Sequence, residues 1–201
     1  MGARAGPPWG GATIVEAYAS VGALGAAISF ALGHDPTACH GWLGARGIAS
    51  LLLSVGAGLC LGAATIAVTR AMMRRTEWAR ALHVAMRPAV HGAGNATLFA
   101  LSLASAAGEE LLFRGLLVPF AGVVGSSLLF GVLHQIPGRG RWGWMAWATI
   151  MGLLLALLFK VTGSLAGPLL AHLAINHSNL RYLRDNDPAP RQRMLGGLLN
   201  R

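Results

Sequence analysis

The chain has 201 residues, of which 54% are hydrophobic and only 11% are charged, and its mean hydropathy is +0.55. Soluble domains carry about 25% charged residues, so the composition argues against a soluble protein, and the length favours one compact unit. The formal net charge is +9, carried by arginines and a single lysine, Lys160. Because the arginines lie between apolar segments and not in one soluble patch, we expect a protein of the lipid bilayer with no nucleic-acid partner.

Two apolar segments near the start of the chain are long enough to cross a bilayer, which takes about 20 residues. The first runs from Gly11 to Gly33 and is long for a cleaved signal peptide, so we expect a retained helix. The second, roughly Gly47 to Thr69, carries Gly58 and Gly62 at a spacing that lets helix backbones approach closely.

The connection between these spans, 33-GHDPTACHGW-42, is polar and has two interpretations. It is either a small metal-binding cluster or a solvated loop, and the loop is the simpler interpretation; the candidate ligands are His34, Asp35, Cys39 and His40. The only other cysteine, Cys60, lies in the middle of the second span, so no disulfide framework is expected.

A basic stretch, 70-RAMMRRTEWARALHVAMRP-88, follows the second span and contains five arginines interleaved with apolar residues. We expect a cytoplasmic loop, or an amphipathic helix that lies at the membrane interface. Residues 1–90 are therefore predicted to form two transmembrane helices and a basic cytoplasmic loop.

Four further spans are predicted in the rest of the chain, at about 97–120, 123–136, 145–161 and 165–183, and a polar, basic tail occupies 185–201. The predicted fold is an all-α, polytopic membrane helix bundle with about six transmembrane helices. With both termini in the cytoplasm, most arginines face inward and only Arg46 and Lys160 face outward. This asymmetry is typical of membrane proteins.

A small set of polar side chains falls at membrane depth, where ionisable groups are costly and usually functional. The set comprises Glu16, Glu109, Glu110, Arg114, His134, His172 and Asn176. Glu16 lies near the start of its span and can reach the interface. His177 lies nearer a helix end and on another face, so we expect it outside the site.

Helix geometry separates the three charges of 108-GEELLFRG-115. Glu110 and Arg114 are four residues apart, about 40° around a helix, and are expected to pair. Glu109 and Arg114 are about 140° apart and are not. Glu109 is then the carboxylate without a local partner, which suits a general base or acid.

The same four-residue spacing recurs on two later spans, where Phe130 and His134 share one helix face and His172 and Asn176 share another. In this order, E-E-x-x-x-R, F-x-x-x-H and H-x-x-x-N resemble the CPBP family, the CAAX-prenyl-protease-type and bacteriocin-processing (Abi) intramembrane proteases. The stretch 162-TGSLAGPLLAHLAIN-176 is similar to the last conserved helix of that family. The resemblance covers about Gly94 to Arg184, so we expect a catalytic helix bundle over residues 91–184.

The resemblance implies an integral-membrane endopeptidase that cuts a membrane-anchored or hydrophobic protein or peptide. Glu109 would activate water with help from His134, and His172 and Asn176 would stabilise the oxyanion. The implied structural supports are Glu110, Arg114 and Phe130.

The resemblance does not decide whether a metal is required, because the family is described both as metalloproteases and as glutamate-based proteases. If zinc is bound, its ligands would be Glu109, His134 and His172. No H-E-x-x-H helix pairs such ligands, so we favour glutamate-activated water without an obligatory metal.

The alternative function is a non-proteolytic membrane scaffold or immunity factor, or a proton-coupled transporter that uses Glu109 and the histidines as a relay. A transporter more often shows inverted repeats, and no internal repeat is present. The composition, rich in Ala, Gly and Arg, favours a bacterial protein of the inner (cytoplasmic) membrane.

Overall fold

A computed structural model describes residues 11–187, and within this range the chain forms helices and no strand. The all-α prediction is confirmed. The predictions for the first ten residues and for the tail from 188 onward lie outside the described residues.

Seven α-helices and one π-helical segment follow each other along the described range. They are α1 (Gly11–Ala31), α2 (Gly47–Arg75), α3 (Glu77–Val90), α4 (Asn95–Glu110), the π segment (Leu111–Leu117), α5 (Val118–Leu133), α6 (Arg141–Thr162) and α7 (Ala166–Asp185). Among the described residues, four helical stretches are long and apolar enough to cross a membrane: Gly11–Ala31, Gly47–Arg75, Asn95–Leu133 and Arg141–Thr162. The number of spans stays a prediction.

The stretch Asn95–Leu133 contains the third and fourth predicted spans in one helical run of 39 residues. Its helical geometry breaks at Gly122, where φ is 69° and ψ is 177°. Only glycine adopts such a positive φ without strain. The predicted boundary between the two spans thus coincides with a kink.

The helix α1 runs parallel to α4 and the π segment at a nearly constant offset. Gly22 contacts Gly108, Gly25 contacts Leu112, and the Ser29 hydroxyl donates to the Gly115 carbonyl over 3.1 Å. A Cβ on Gly22 would lie 2.8 Å from the Gly108 Cα, so this contact requires glycine. Small residues at such crossings allow backbones to approach closely where lipid offers no hydrophobic driving force.

The helix α7 lies between α2 and α4. Gly58 and Gly62 of α2 contact Gly167 and Ala171, so these two helices run parallel, and the close approach predicted from the Gly58–Gly62 spacing is present. Arg184 donates to the Asn95 side chain over 2.8 Å, so α7 runs antiparallel to α4.

The remaining spans complete an alternating arrangement. The Ser50 hydroxyl of α2 donates to the Thr162 carbonyl over 2.6 Å, so α6 runs antiparallel to α2. Gly131 contacts Thr149 and Gly152 contacts Ser127, which makes α5 antiparallel to α6. Taken in chain order without α3, the long helices alternate in direction.

The basic stretch after α2 forms the short helix α3, which packs against α6 and α7. Its buried residues Ala79, His83 and Val90 lie toward the bundle, whereas Arg74 and Arg75 just before it are exposed. Of the two forms predicted for this stretch, the helix is therefore the one present.

The polar connection between α1 and α2 is a packed loop. The His34 ring contacts Phe120, Asp35 accepts two hydrogen bonds from Thr37, and the Cys39 thiol approaches the Phe159 carbonyl at 3.7 Å. Burial raises the pKa of the Cys39 thiol, which disfavours the thiolate form that binds metals. The geometry therefore favours the loop interpretation over the metal cluster.

Candidate active site

The two glutamates and the arginine are buried where α4 passes into the π segment. Glu109 is 8% exposed, Glu110 0% and Arg114 1%. A π-helical insertion in an α-helix is uncommon and occurs frequently at functional sites. The sequence did not predict it, because its seven residues have the composition of an ordinary membrane helix.

The predicted pairing of Glu110 with Arg114 is present. Arg114 Nη1 donates to Glu110 Oε1 over 2.9 Å, and Arg114 Nη2 donates to the carbonyl of Gly152 on α6 over 3.1 Å. The guanidinium also lies 4.8 Å from the centre of the Phe130 ring. This set of partners compensates the cost of burying a cation.

Glu110 has a second partner that the sequence did not reveal. His172 Nδ1 of α7 lies 2.7 Å from Glu110 Oε1, the same oxygen that accepts from Arg114. An ionised carboxylate only accepts hydrogen bonds, so Nδ1 is the donor. The Nε2 atom of His172 is thereby turned toward Glu109.

Glu109 faces two histidines at equal distances. Its Oε2 atom lies 3.7 Å from Nε2 of His134 and 3.7 Å from Nε2 of His172. These distances exceed a direct hydrogen bond, and Oε2 has no hydrogen-bond partner among the described residues. Three polar atoms from three elements therefore converge on one point at membrane depth.

His134 is oriented by the helix that precedes it. Nδ1 lies 2.7 Å from the Phe130 carbonyl, which can only accept, so Nδ1 carries a hydrogen. In the neutral ring Nε2 then has a lone pair directed toward Glu109. Phe130 supports the ring as well, with the two ring centroids 4.2 Å apart.

Asn176 is attached to α4 through a serine. Its Nδ2 donates to Ser105 Oγ over 3.0 Å, and Ser105 Oγ donates to the Ser102 carbonyl over 3.2 Å. Sequence reasoning missed Ser105, although it precedes Glu109 by four residues and so lies on the same helix face. Asn176 keeps a second amide hydrogen for another acceptor.

Two other polar residues lie away from this cluster. Glu16 is exposed on α1. The His177 ring packs edge-on against Phe99, with the centroids 5.7 Å apart, as expected for a residue outside the site.

The site does not have the geometry of a metal centre. Within residues 11–187, no group of three or more His, Cys, Asp or Glu side chains is arranged to hold a metal ion. This statement covers the ligands expected if zinc is bound, which are Glu109, His134 and His172.

Comparison with known proteins identifies the part of the chain that carries the site. Residues 92–178 match the family "Type II CAAX prenyl endopeptidase Rce1-like". The "Uncharacterized protein YpbD" of Bacillus subtilis (strain 168) is 37% identical over 76 residues, which cover 38% of this chain and 40% of that protein. No solved structure is significantly similar.

The matched segment contains all seven residues of the three motifs, from Glu109 to Asn176. The resemblance noted in the sequence is thus confirmed by an independent comparison. Residues 92–178 of this integral membrane protein are therefore similar to the type II CAAX prenyl endopeptidase Rce1-like family.

Proposed function

We propose that the chain is an intramembrane endopeptidase that hydrolyses a peptide bond in a membrane-anchored or hydrophobic protein or peptide. The observation that carries the proposal is the convergence of Glu109 Oε2 with Nε2 of His134 and of His172, each at 3.7 Å. The family match supports the same reaction class. The match covers less than half of the chain, so the activity rests chiefly on this geometry.

Glu109 is the general base in this proposal. A water molecule held near Oε2 gives its proton to Glu109, and the resulting hydroxide attacks the carbonyl carbon of the peptide bond. His134 Nε2, with its lone pair, accepts a hydrogen bond from the second O–H of the water and orients it. Glu109 then passes the proton to the leaving nitrogen as the carbon–nitrogen bond breaks.

His172 and Asn176 stabilise the oxyanion that forms on the carbonyl oxygen. Because Nδ1 of His172 already donates to Glu110, donation from Nε2 as well requires the imidazolium form. The Glu110 carboxylate offsets that positive charge, and two carboxylates with Arg114 and protonated His172 make a neutral cluster. Donors placed in a water-poor site stabilise a developing negative charge strongly.

The proposed membrane topology has six spans with both termini in the cytoplasm, and it uses all six long helices in alternation. The alternating directions of α1, α2, α4, α5, α6 and α7 support it. The proposed boundary between an N-terminal part and the catalytic bundle lies near residue 90, just before the family match begins. The bacterial relative supports the inner membrane of a bacterium as the location.

The decisive test is Glu109→Gln in purified protein reconstituted into proteoliposomes. Internally quenched hydrophobic peptides, including one with a farnesylated C-terminal CAAX sequence, serve as probes. We expect the cleavage rate to fall by about 10²- to 10⁴-fold, the usual contribution of a general base, with unchanged yield of folded protein.

Glu16→Gln is the matched control, because Glu16 is an exposed glutamate of α1 outside the site. It should cleave like the wild type. Full activity of Glu109→Gln on a peptide that the wild type cleaves would refute the proposal. Solute uptake driven by a proton gradient, without cleavage of any probe, would favour the transporter alternative.

A further inference from the structure

A cavity of about 490 Å³ opens between α2 and α7, and none of the seven motif residues lines it. Arg70 lines it from α2, and Ala174, His177, Arg181 and Asp185 line it from α7. These four residues of α7 follow each other at spacings of three or four, so they form one face of the helix. The cavity therefore runs along α7 beside Arg70.

Arg70 is held in this cavity by neutral groups. Its Nη1 donates to Asn179 Oδ1 over 2.8 Å, and its Nη2 donates to the hydroxyl and the carbonyl of Ser178 over 2.7 and 2.9 Å. The guanidinium also lies 4.2 Å from the centre of the Tyr182 ring. A guanidinium has five N–H donors, so these three bonds leave two for another acceptor. The charge of Arg70 is thus fixed in place, and these partners do not neutralise it.

The acidic groups at the end of α7 are paired with other arginines. Asp185 lines the cavity, but its Oδ1 accepts from Arg184 Nε over 2.7 Å. Asp187 lies 3.5 Å from Arg87. Arg181 is exposed and adds a second cation to the lining. The cavity therefore has an excess of positive charge.

The position of Arg70 along α2 places this charge near the level of the lipid head groups. The 29 residues of α2 measure about 44 Å at about 1.5 Å per residue, whereas the hydrocarbon core of a bilayer is about 30 Å thick. Arg70 lies about 8 Å before the end of this helix at Arg75. Basic pockets between membrane helices at this level bind anionic lipid head groups.

We propose that the cavity binds an anionic phospholipid from the leaflet at this end of the bundle. Arg70 and Arg181 contact the phosphate, because the planar guanidinium matches the geometry of phosphate oxygens. Ala174 lies deeper along α7 and receives the start of an acyl chain. The inference does not depend on the proposed function, since the cavity and the candidate active site share no residue.

The test is native mass spectrometry of the delipidated full-length protein in detergent. Phosphatidylglycerol is the anionic probe, and phosphatidylcholine, which has the same phosphate but no net charge, is the comparison. We expect the wild type to bind one phosphatidylglycerol molecule about tenfold more tightly than phosphatidylcholine. Arg70→Gln should weaken the binding of phosphatidylglycerol by about tenfold, the effect of losing a hydrogen bond between charged groups.

Arg181→Gln tests the same inference without disturbing the bonds that Arg70 makes between α2 and α7. Because Arg181 is exposed, this variant should fold normally even where Arg70→Gln does not. We expect phosphatidylglycerol to bind about fivefold more weakly, the effect of one basic side chain beside an anionic head group. Arg139→Gln is the matched control, since Arg139 is an exposed arginine outside the cavity, and it should bind the lipid like the wild type.

Two results would overturn the inference. The first is equal binding of phosphatidylglycerol by the wild type and Arg181→Gln, and the second is equal binding of the two lipids by the wild type. Glycerol 3-phosphate, which has no acyl chain, separates a lipid site from a site for a soluble phosphate ester. Failure of glycerol 3-phosphate to displace the lipid supports the inference, whereas displacement would assign the cavity to a soluble anion and overturn it.

Discussion

Glu110 links three elements through one carboxylate oxygen. Its Oε1 accepts from Arg114 in the π segment and from His172 on α7, and Arg114 in turn donates to Gly152 on α6. Because Glu110 and Arg114 are almost fully buried, neither charge can be hydrated when its partner is lost. We therefore assign Glu110 to holding the site together and Glu109 to the chemistry.

This assignment predicts the effect of Arg114→Leu. The substitution leaves the buried Glu110 carboxylate without a cation and should destabilise the protein by about 3–5 kcal/mol. The measurement is the yield of monodisperse protein and its unfolding midpoint in detergent. Removing the second charge as well, in Arg114→Leu with Glu110→Gln, should recover part of the loss.

Arg141→Leu is the control for this experiment, because Arg141 is exposed and its partner Gln135 is exposed too. It should change the unfolding midpoint little. If Arg114→Leu proved as stable as the wild type, the structural role assigned to the pair would be wrong.

The sequence predicted the local part of this network and not the part that depends on tertiary structure. The pairing of Glu110 with Arg114 follows from helical periodicity, and so does the separation of Glu109 from Arg114. The contact between Glu110 and His172 joins residues 62 positions apart, and no periodic signal links them. The same holds for the contact between Gly22 and Gly108, which exists only because α1 packs along α4.

At the scale of elements, two glycines of α1 determine how closely this helix approaches the site. Gly22 contacts Gly108 and Gly25 contacts Leu112 along a parallel crossing. Both opposing groups are backbone atoms, so they cannot rotate away from a new methyl group as a flexible side chain can. The distance between α1 and Gly108, the residue before Glu109, therefore depends on Gly22.

We predict that Gly22→Ala destabilises the protein by about 1–3 kcal/mol, because its Cβ would lie 2.8 Å from the Gly108 Cα. The displaced α1 should also lower the cleavage rate, because Gly108 directly precedes the proposed base Glu109. The measurement pairs an unfolding curve in mixed micelles with the proteoliposome cleavage assay.

Gly56→Ala is the matched control, because a Cβ at Gly56 of α2 meets no atom within 4 Å. Alanine within a helix is favoured over glycine, so this variant should be as stable as the wild type or slightly more stable. Equal stability of the Gly22→Ala and Gly56→Ala proteins would contradict the close crossing of α1 and α4.

The elements themselves were predictable to differing degrees. Apolar length was enough to find α1, α2 and α6. The helix α7 contains so many polar residues that it is not among the four described stretches that are long and apolar enough to cross a membrane. Those polar residues include His172 and Asn176, which the site uses. The π segment was not predictable, because it differs from an α-helix only in hydrogen-bond pattern.

At the scale of the whole molecule, the helix directions sort the loops onto two sides. One side carries α3, the connection between α5 and α6, and the end of α7; the other carries the connections between α1 and α2 and between α6 and α7. The first side holds most of the arginines, including Arg74, Arg75, Arg139 and Arg184. The second holds Arg46 and Lys160, so the first side is expected to be cytoplasmic.

This orientation is tested by labelling single cysteines in intact cells of the expression host, in a background with Cys39 and Cys60 replaced by alanine. Trp42→Cys and Arg139→Cys introduce thiols at exposed loop positions on opposite sides. A membrane-impermeant maleimide should label Trp42→Cys directly and Arg139→Cys only after the membrane is permeabilised. Labelling of both thiols in intact cells would refute the six-span arrangement, because two loops that an odd number of spans separates cannot face the same side.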